Sequence, residues 1–274
     1  MSDKSWSEEV ASGNRFEFGR NWSHFLKKLD SSGISAAEQS LKEMLQIDSL
    51  SGSSFLDIGC GSGLFSLAAR RLGAAVISFD FDPNSVACTN ELRRRFFPSA
   101  SDWTVMTGSV LDNHFIDNLA ECDVVYSWGV LHHTGSMWRS IANASGRVRP
   151  GGKIFIALYN YQPVATPYWT FIKKLYNRFS VLRPLLIFAH LVYPTLISIV
   201  LRAVSGRELP RGMSVWYDLI DWLGGYPFET ARPDEVVNYF VDKGYSVVRI
   251  KTVGGRLGCN EYVFRKPENE APLR

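Results

Sequence analysis

The stretch Ser54-Phe55-Leu56-Asp57-Ile58-Gly59-Cys60-Gly61-Ser62-Gly63 runs from a short apolar strand into a glycine turn, and Leu64 to Leu72 then reads as a helix. Glycines at 59, 61 and 63 let the backbone turn tightly and let a ligand approach with no Cβ in the way, while the following helix offers unpaired N–H groups. Strand, glycine turn and helix in this order bind a nucleotide-like molecule at the carboxyl edge of a parallel sheet. The dinucleotide fingerprint G-x-G-x-x-G is not met: counted from Gly59 the third position is Leu64, and counted from Gly61 it is Ser66. That weakens a pyrophosphate cradle and leaves an NAD-dependent oxidoreductase as the alternative enzyme reading.

Further along, Ala75 to Phe79 reads as the next strand, within Val76-Ile77-Ser78-Phe79-Asp80-Phe81-Asp82-Pro83. Asp80 stands one β-α-β unit after the glycine turn, where an acid accepts both hydroxyls of a ribose. Asp82, before Pro83, reads instead as a helix cap. The alternation continues with a helix over Pro83 to Phe97, strands at Trp103 to Thr107 and Asp123 to Ser127, a helix from Ser136 to Val148, and a strand from Lys153 to Leu158. This predicts an α/β class: a Rossmann-like, seven-stranded, mostly parallel sheet with helices on both faces. Pro233-Asp234-Glu235 opens a later helix that stops at Gly244, and Tyr245 to Thr252 and Glu261 to Arg265 complete the sheet with an antiparallel last strand. The intervening segment is too long for a connection and reads as a helical insertion or lid. The expected organisation is an N-terminal helical cap over 1–50, a Rossmann-like ligand-binding core over 51–160, the insertion over 161–228, and the completion of the sheet over 229–274.

With 46% hydrophobic and 21% charged residues in 274, disorder, collagen and disulfide-scaffold compositions are excluded. The net charge of +3 does not by itself imply a nucleic-acid surface. Its distribution is uneven, because Asn160 to Gly212 carries +6 with Glu208 as its only acid. Cys60, Cys88, Cys122 and Cys259 form no C-x-x-C pair and read as small buried thiols. Met1 to Gly13 is polar and acidic, without the apolar core of a signal peptide, so a cytoplasmic location is expected.

As a set, D-x-G-x-G-x-G at Asp57 to Gly63, the acid Asp80, Val130-Leu131-His132-His133 after the fourth strand, and Arg147-Val148-Arg149-Pro150-Gly151-Gly152 before the fifth resemble the class I methyltransferases that use S-adenosylmethionine. The resemblance covers about Phe55 to Leu158 and makes S-adenosylmethionine the expected cofactor. It implies that the turn of Gly59, Cys60, Gly61 and Gly63 after Asp57 lies along the methionine part, that Asp80 holds the ribose, and that Phe81 flanks adenine. Where the family often has an acid near the adenine amino group, this chain has Ser109 followed by Val110. Ser127, Trp128 and Gly129 lie where the fourth strand opens toward the sulfonium. The flanks resemble a bacterial small-molecule subgroup with an aromatic leader, here Phe16-Glu17-Phe18-Gly19-Arg20-Asn21-Trp22, a long insertion after the fifth strand, and Asp221-Trp222-Leu223-Gly224-Gly225-Tyr226-Pro227-Phe228. The resemblance implies methyl transfer and leaves the acceptor atom open among O, N, C and S.

A sulfonium is already activated, so transfer is an in-line displacement that the protein aligns and keeps dry. Aromatic faces stabilise the cation, and Trp128, Trp22 and Phe18 are the candidates for that wall. Arg20 suits the cofactor's carboxylate. If the acceptor is a hydroxyl or a protonated amine, His132 or His133 can take its proton, because imidazole titrates near neutrality. In the alternative reading one of the pair caps the loop and the other faces solvent. Adjacent histidines with no carboxylate cluster do not make a metal site, so no metal is expected. Nor is a nucleic-acid acceptor, since the fourth strand ends in Tyr126-Ser127-Trp128-Gly129 rather than an Asn/Asp-Pro-Pro-aromatic tetrad.

The expected partner is a flat or partly apolar small-molecule acceptor, roofed by the insertion and the N-terminal helix, with Trp216, Tyr217, Trp222, Tyr226 and Phe228 as lining. In the insertion, Tyr168, Phe171, Ile172, Leu175 and Phe179 are expected to face inward and Lys173, Lys174, Asn177 and Arg178 outward. Pro184 to Leu201 has no charged residue over 18 positions, but His190, Tyr193, Pro194, Thr195 and Ser198 interrupt it as a membrane span. Beside a membrane span, which these residues disfavour, three roles stay open for 166–205: a lid, a homo-oligomer contact, and contact with a membrane surface that would place the protein at the membrane periphery. The last admits a non-catalytic, membrane-associated regulatory protein that retains cofactor binding.

Overall fold

Runs such as Phe155-Ile156-Ala157-Leu158 are apolar without interruption because both faces of their strand are covered, and all four residues are almost fully buried. The structure, a computed structural model, describes residues 6–17, 29–190 and 215–268, the side chains of 215–218 and 221 excepted. It divides into two compact units, Met1–Glu17 with Val164–Phe228, and Phe18–Pro163 with Glu229–Arg274.

The larger unit is built on seven strands, β1 (Ser54–Ile58), β2 (Ala75–Asp80), β3 (Trp103–Thr107), β4 (Cys122–Trp128), β5 (Val148–Tyr159), β6 (Ser246–Lys251) and β7 (Cys259–Arg265). Their order is β3-β2-β1-β4-β5-β7-β6. The first five strands pair in parallel, and β7 runs antiparallel to both β5 and β6. The expected sheet, with its antiparallel last strand, is therefore observed.

Because successive side chains of a strand point to opposite faces, β1 contributes Phe55 to one core and Leu56 and Ile58 to the other. The first core is closed by the helices Ser31–Leu45, Leu64–Arg71 and Pro83–Phe96. The second is closed by Asn113–Asp117, Met137–Gly146 and Pro233–Val241. Helix starts follow local chemistry. Asp30 and Asp82 accept the N–H groups of Gly33 and Asn84 at 2.9 and 2.8 Å, and the Glu235 carboxylate accepts Arg232 N–H at 2.8 Å. Gly244, at φ 79°, ends the helix before β6. Cys60, Cys88 and Cys122 are buried and free as expected, whereas Cys259 is only half-buried.

In the smaller unit the helix Ala165–Arg178 buries Ile172 and packs Leu175 inward and exposes Lys174 and Arg178 as expected, but its buried face is rotated to take in Lys173 and Asn177 and to leave out Tyr168 and Phe171. Ile172, Lys173, Tyr176 and Asn177 are its buried residues, while Phe171 is 64% exposed. The interior accepts Lys173 because it is lined for a cation. The ammonium lies 4.4 Å from the ring centre of Trp222 and 4.8 Å from that of Phe228, and Nζ donates to the Trp222 carbonyl. Asn177 Nδ2 donates to the carbonyls of Lys173 and Gly224 at 2.8 and 2.7 Å, joining this helix to Val215–Gly224. A Cβ on Gly224 would come within 2.2 Å of the Phe16 ring, so only glycine fits there. Two of the aromatic residues expected to line an acceptor pocket, Trp222 and Phe228, thus face Lys173. The side chains of Trp216 and Tyr217 lie outside the described set, as do Phe18, Arg20, Trp22 and residues 191–205 of the apolar segment. Among the described residues no helix is long and apolar enough to cross a membrane.

Replacing Lys173 by Ala removes the cation from two ring faces and leaves a void. Urea unfolding is expected to show a loss of about 2–3 kcal/mol, with Lys173→Met, which refills the volume, less affected.

Candidate functional site

In the order β3-β2-β1-β4 the chain reverses direction across the sheet between β1 and β4, and ligands of open α/β sheets bind at the carboxyl ends beside such a point. The glycine turn lies there. Gly59, Gly61 and Gly63 have φ of 75°, 54° and 82°, all in the left-handed region that disfavours a side chain. A Cβ on Gly59 would stand 2.4 Å from Val130 Cγ1, and one on Gly63 would stand 2.8 Å from Thr89 Oγ1.

Three sets of hydrogen bonds hold the turn. Gly59 and Cys60 N–H donate to the Phe79 carbonyl at 2.9 and 3.1 Å, tying the turn to β2. Gly61 N–H donates to Asp80 Oδ2 at 2.9 Å, and Asp82 N–H donates to Asp80 Oδ1 at 2.9 Å, so each carboxylate oxygen takes one backbone donor. The Asp80 carbonyl accepts Gly108 N–H at 3.0 Å, which fixes the tip of β3 beside it. The third set is buried. Ser66 Oγ donates to Asp57 Oδ2 at 2.5 Å and lies 2.7 Å from Ser78 Oγ, which accepts Trp103 Nε1–H at 3.0 Å. Since indole nitrogen only donates, an ionised Asp57 sets one direction for the chain: Trp103 to Ser78, Ser78 to Ser66, Ser66 to Asp57. Burial pushes the Asp57 carboxyl up to about 7, with the Ser66 bond pulling it back and the Asp80 charge adding to the rise. Burial also raises the Cys60 thiol, helped by the charges of Asp80 and Asp57, so Cys60 stays protonated.

The other expected residues fall at the same edge. Phe81 is half-buried just past Asp80. Ser109 Oγ accepts Leu111 N–H at 3.2 Å, and Val110 is packed into the core. Ser127 is fully buried, its hydroxyl donating to the Ile58 carbonyl at 2.9 Å, which ties β4 to the end of β1. Trp128 is 43% exposed, with its indole N–H donating to Glu261 Oε1 at 3.2 Å.

His132 and His133 form a 3-10 turn and both are buried, so the alternative with one ring in solvent does not hold. The strand end of β5 displaces solvent: the His132 ring centre lies 4.0 Å and the His133 ring centre 5.4 Å from that of Tyr159. His132 Nδ1 accepts Tyr159 N–H at 3.3 Å, which in the neutral ring puts the proton on Nε2. The His132 carbonyl accepts Glu229 N–H at 2.9 Å, and the Glu229 carboxylate accepts Met137 N–H at 3.0 Å, capping the next helix. Burial raises the Glu229 carboxyl against the pull of the Met137 and Gly135 N–H groups. Tyr159 and Glu229 belong to this cluster without having been singled out from the sequence. Their signal was positional only, one at the end of a strand and the other directly after the Asp221 to Phe228 motif.

A family model described as a methyltransferase domain matches residues 56–156, which include the glycine turn, Asp80 and the histidine turn. The match falls on the same segment whose motifs resemble the class I methyltransferases. Over 108 residues the chain is 34% identical to a tRNA U34 carboxymethyltransferase of Methylococcus capsulatus, covering 39% of this chain and 32% of that protein. Over 111 residues it is 32% identical to a ubiquinone biosynthesis O-methyltransferase of Brucella melitensis, covering 40% of this chain and 43% of that protein. The chain thus spans less than half the length of these curated relatives. Among solved structures, it is similar to the magnesium protoporphyrin IX methyltransferase of Synechocystis PCC 6803, with TM-score 0.57, 12% identity, and coverage of 94% of this chain and 99% of that one. It is also similar to the N-methyltransferase NodS of Bradyrhizobium japonicum, with TM-score 0.52, 14% identity, and coverage of 92% and 100%. At these identities the likeness to the solved structures is one of fold.

Two outcomes test the packing around the glycine turn. Gly59→Ala forces a Cβ onto Val130 at a left-handed backbone and is expected to cost about 2 kcal/mol or more in urea unfolding. The Asp57 carboxyl titrates at about 7 when folded, against 3.8 for the free acid, so the folded chain keeps this proton to higher pH than the unfolded one. The contribution of Asp57 to stability therefore declines as pH rises from about 4 to about 7. Asp57→Asn, which does not ionise, should flatten that decline in urea midpoints measured across the range.

Proposed function

We propose that this chain binds S-adenosylmethionine at the carboxyl edge of β1, β2 and β4 and transfers its methyl group to a small-molecule acceptor. The observation that carries the reading is the clasp between the glycine turn and the second strand, in which Gly61 N–H and Asp82 N–H fix the plane of the Asp80 carboxylate. The residues present fit a nucleoside donor: an acid at the tip of β2 to take a ribose diol, and a turn whose three glycines bring bare backbone to the end of β1. They fit a dinucleotide less well, since Leu64 and Ser66 occupy the positions of the third fingerprint glycine.

When bound, S-adenosylmethionine supplies a methyl group already activated on a sulfonium. The protein's task is then alignment and exclusion of water. Asp80 fixes the sugar, the 59–63 turn follows the amino-acid part, and the half-exposed indole of Trp128 offers an aromatic face at the end of β4. For an acceptor that sheds a proton, His133 takes it as general base. His132 is the positioning partner, because its Nδ1 already accepts the Tyr159 N–H. Ser109 and Val110 border the adenine end, and Arg20 and Trp22 complete the donor site from the leader. The relatives differ in acceptor, one being named for tRNA and another for ubiquinone biosynthesis, and their matches cover 39% and 40% of this chain. The small-molecule reading rests on the fourth strand ending in Tyr126-Ser127-Trp128-Gly129 and on the absence of any basic nucleic-acid motif in the sequence.

Calorimetry with S-adenosylmethionine, S-adenosylhomocysteine and NAD tests the donor. Binding of the first two and not the third is expected, and Asp80→Ala should weaken S-adenosylmethionine at least tenfold, about 1.4 kcal/mol. Unchanged affinity in that variant removes Asp80 from the site, and binding of NAD alone overturns the reading.

A further inference from the structure

The smaller unit presents an apolar and basic face that its own packing does not use. Along the helix Ala165–Arg178, Tyr168, Phe171, Lys174 and Arg178 recur at helical spacing on the exposed side, opposite buried Lys173 and Asn177. Phe171 is 64% exposed, and past the helix end Val181 is 81%, Leu185 64% and Phe188 67% exposed. Side chains of this size normally go inside. Three cations lie among them. Lys174, Arg178 and Arg183 are exposed, and Arg183 is held in place by its Nε bond to the Tyr176 carbonyl at 3.0 Å. From Asn160 to Arg207 the sequence contains no Asp or Glu.

We propose that this face docks on an anionic lipid surface. Aromatic and aliphatic side chains settle at the boundary between headgroups and acyl chains, while Lys and Arg are drawn to acidic headgroups at the same depth. Charge sets this occupant apart from a second copy of the chain. A two-fold contact through the same face would bring Lys174, Arg178 and Arg183 against their own counterparts, and the segment from Asn160 to Arg207 that carries them supplies no acid to offset this. Among the described residues no helix is long and apolar enough to cross a bilayer, and the contact proposed is with the surface alone. The proposal does not depend on methyl transfer.

The test is cosedimentation of the full chain with vesicles of phosphatidylcholine alone and of phosphatidylcholine with one third phosphatidylglycerol. Binding to the mixed vesicles, weakened by added salt, is expected. Lys174→Glu with Arg178→Glu should lower the partition coefficient by about thirtyfold or more, and Phe171→Ser with Phe188→Ser by at least about tenfold at unchanged charge. All four positions are exposed, and an unchanged thermal melt verifies that each variant is folded. Calorimetry with S-adenosylmethionine on the same samples reads the donor site separately. Mixed vesicles that retain no more protein than pure phosphatidylcholine overturn the proposal. So does a dimer in light scattering that Phe171→Ser with Phe188→Ser dissociates while vesicles fail to bind, and so does capture only by an acidic protein.

Discussion

The turn after β1 is held open by hydrogen bonds to the neighbouring strand. Left to itself, a glycine turn is the most mobile kind of backbone, and ordering it carries the largest entropy loss of any residue type. Here the Phe79 carbonyl takes the N–H groups of Gly59 and Cys60, and the Asp80 carboxylate takes that of Gly61. The same acid that is proposed to hold the ribose therefore also holds the turn that accommodates the rest of the donor. Binding geometry and loop order come from one side chain. Behind it, Ser66 and Ser78 connect the buried Asp57 to Trp103 on β3, so the first three strands are joined through side chains as well as by their backbone pairing.

What could be read from the amino-acid order was mostly what local chemistry decides. The β-α-β unit, the Asp82 cap, the helix start at Pro233 and its stop at Gly244 depend on neighbours within a few positions, and each is found. The helix Asn113–Asp117 spans five residues, too few to show a period, and it was not foreseen. The inward face of Ala165–Arg178 is rotated from the expected one for a non-local reason. Lys173 is welcome inside only because Trp222 and Phe228 return to it from the far end of the same unit. Periodicity weighs hydrophobicity and does not see a cation with aromatic partners.

The candidate site divides in the same way. Asp80 and the three glycines were legible from spacing, because a turn, a strand and an acid are consecutive events in the chain. The surroundings of the histidines were not. Tyr159 and Glu229 reach His132 from positions 27 and 97 residues downstream, one covering its ring and one bonding its carbonyl. They turn an exposed-looking dipeptide into part of the interior. Both imidazoles are buried, and Nδ1 of His132 is occupied by a backbone donor.

The position of β7 bears on how the chain is made. It is the last of the seven described strands in sequence yet lies between β5 and β6. On the ribosome, β5 must wait with one edge bare until synthesis has passed Arg265. A strand apolar on both faces and unpaired along one side is an open template for other nascent chains during that interval. Correct folding of this protein in the cell thus depends on keeping β5 sheltered while the roughly hundred codons from Tyr159 to Arg265 are translated.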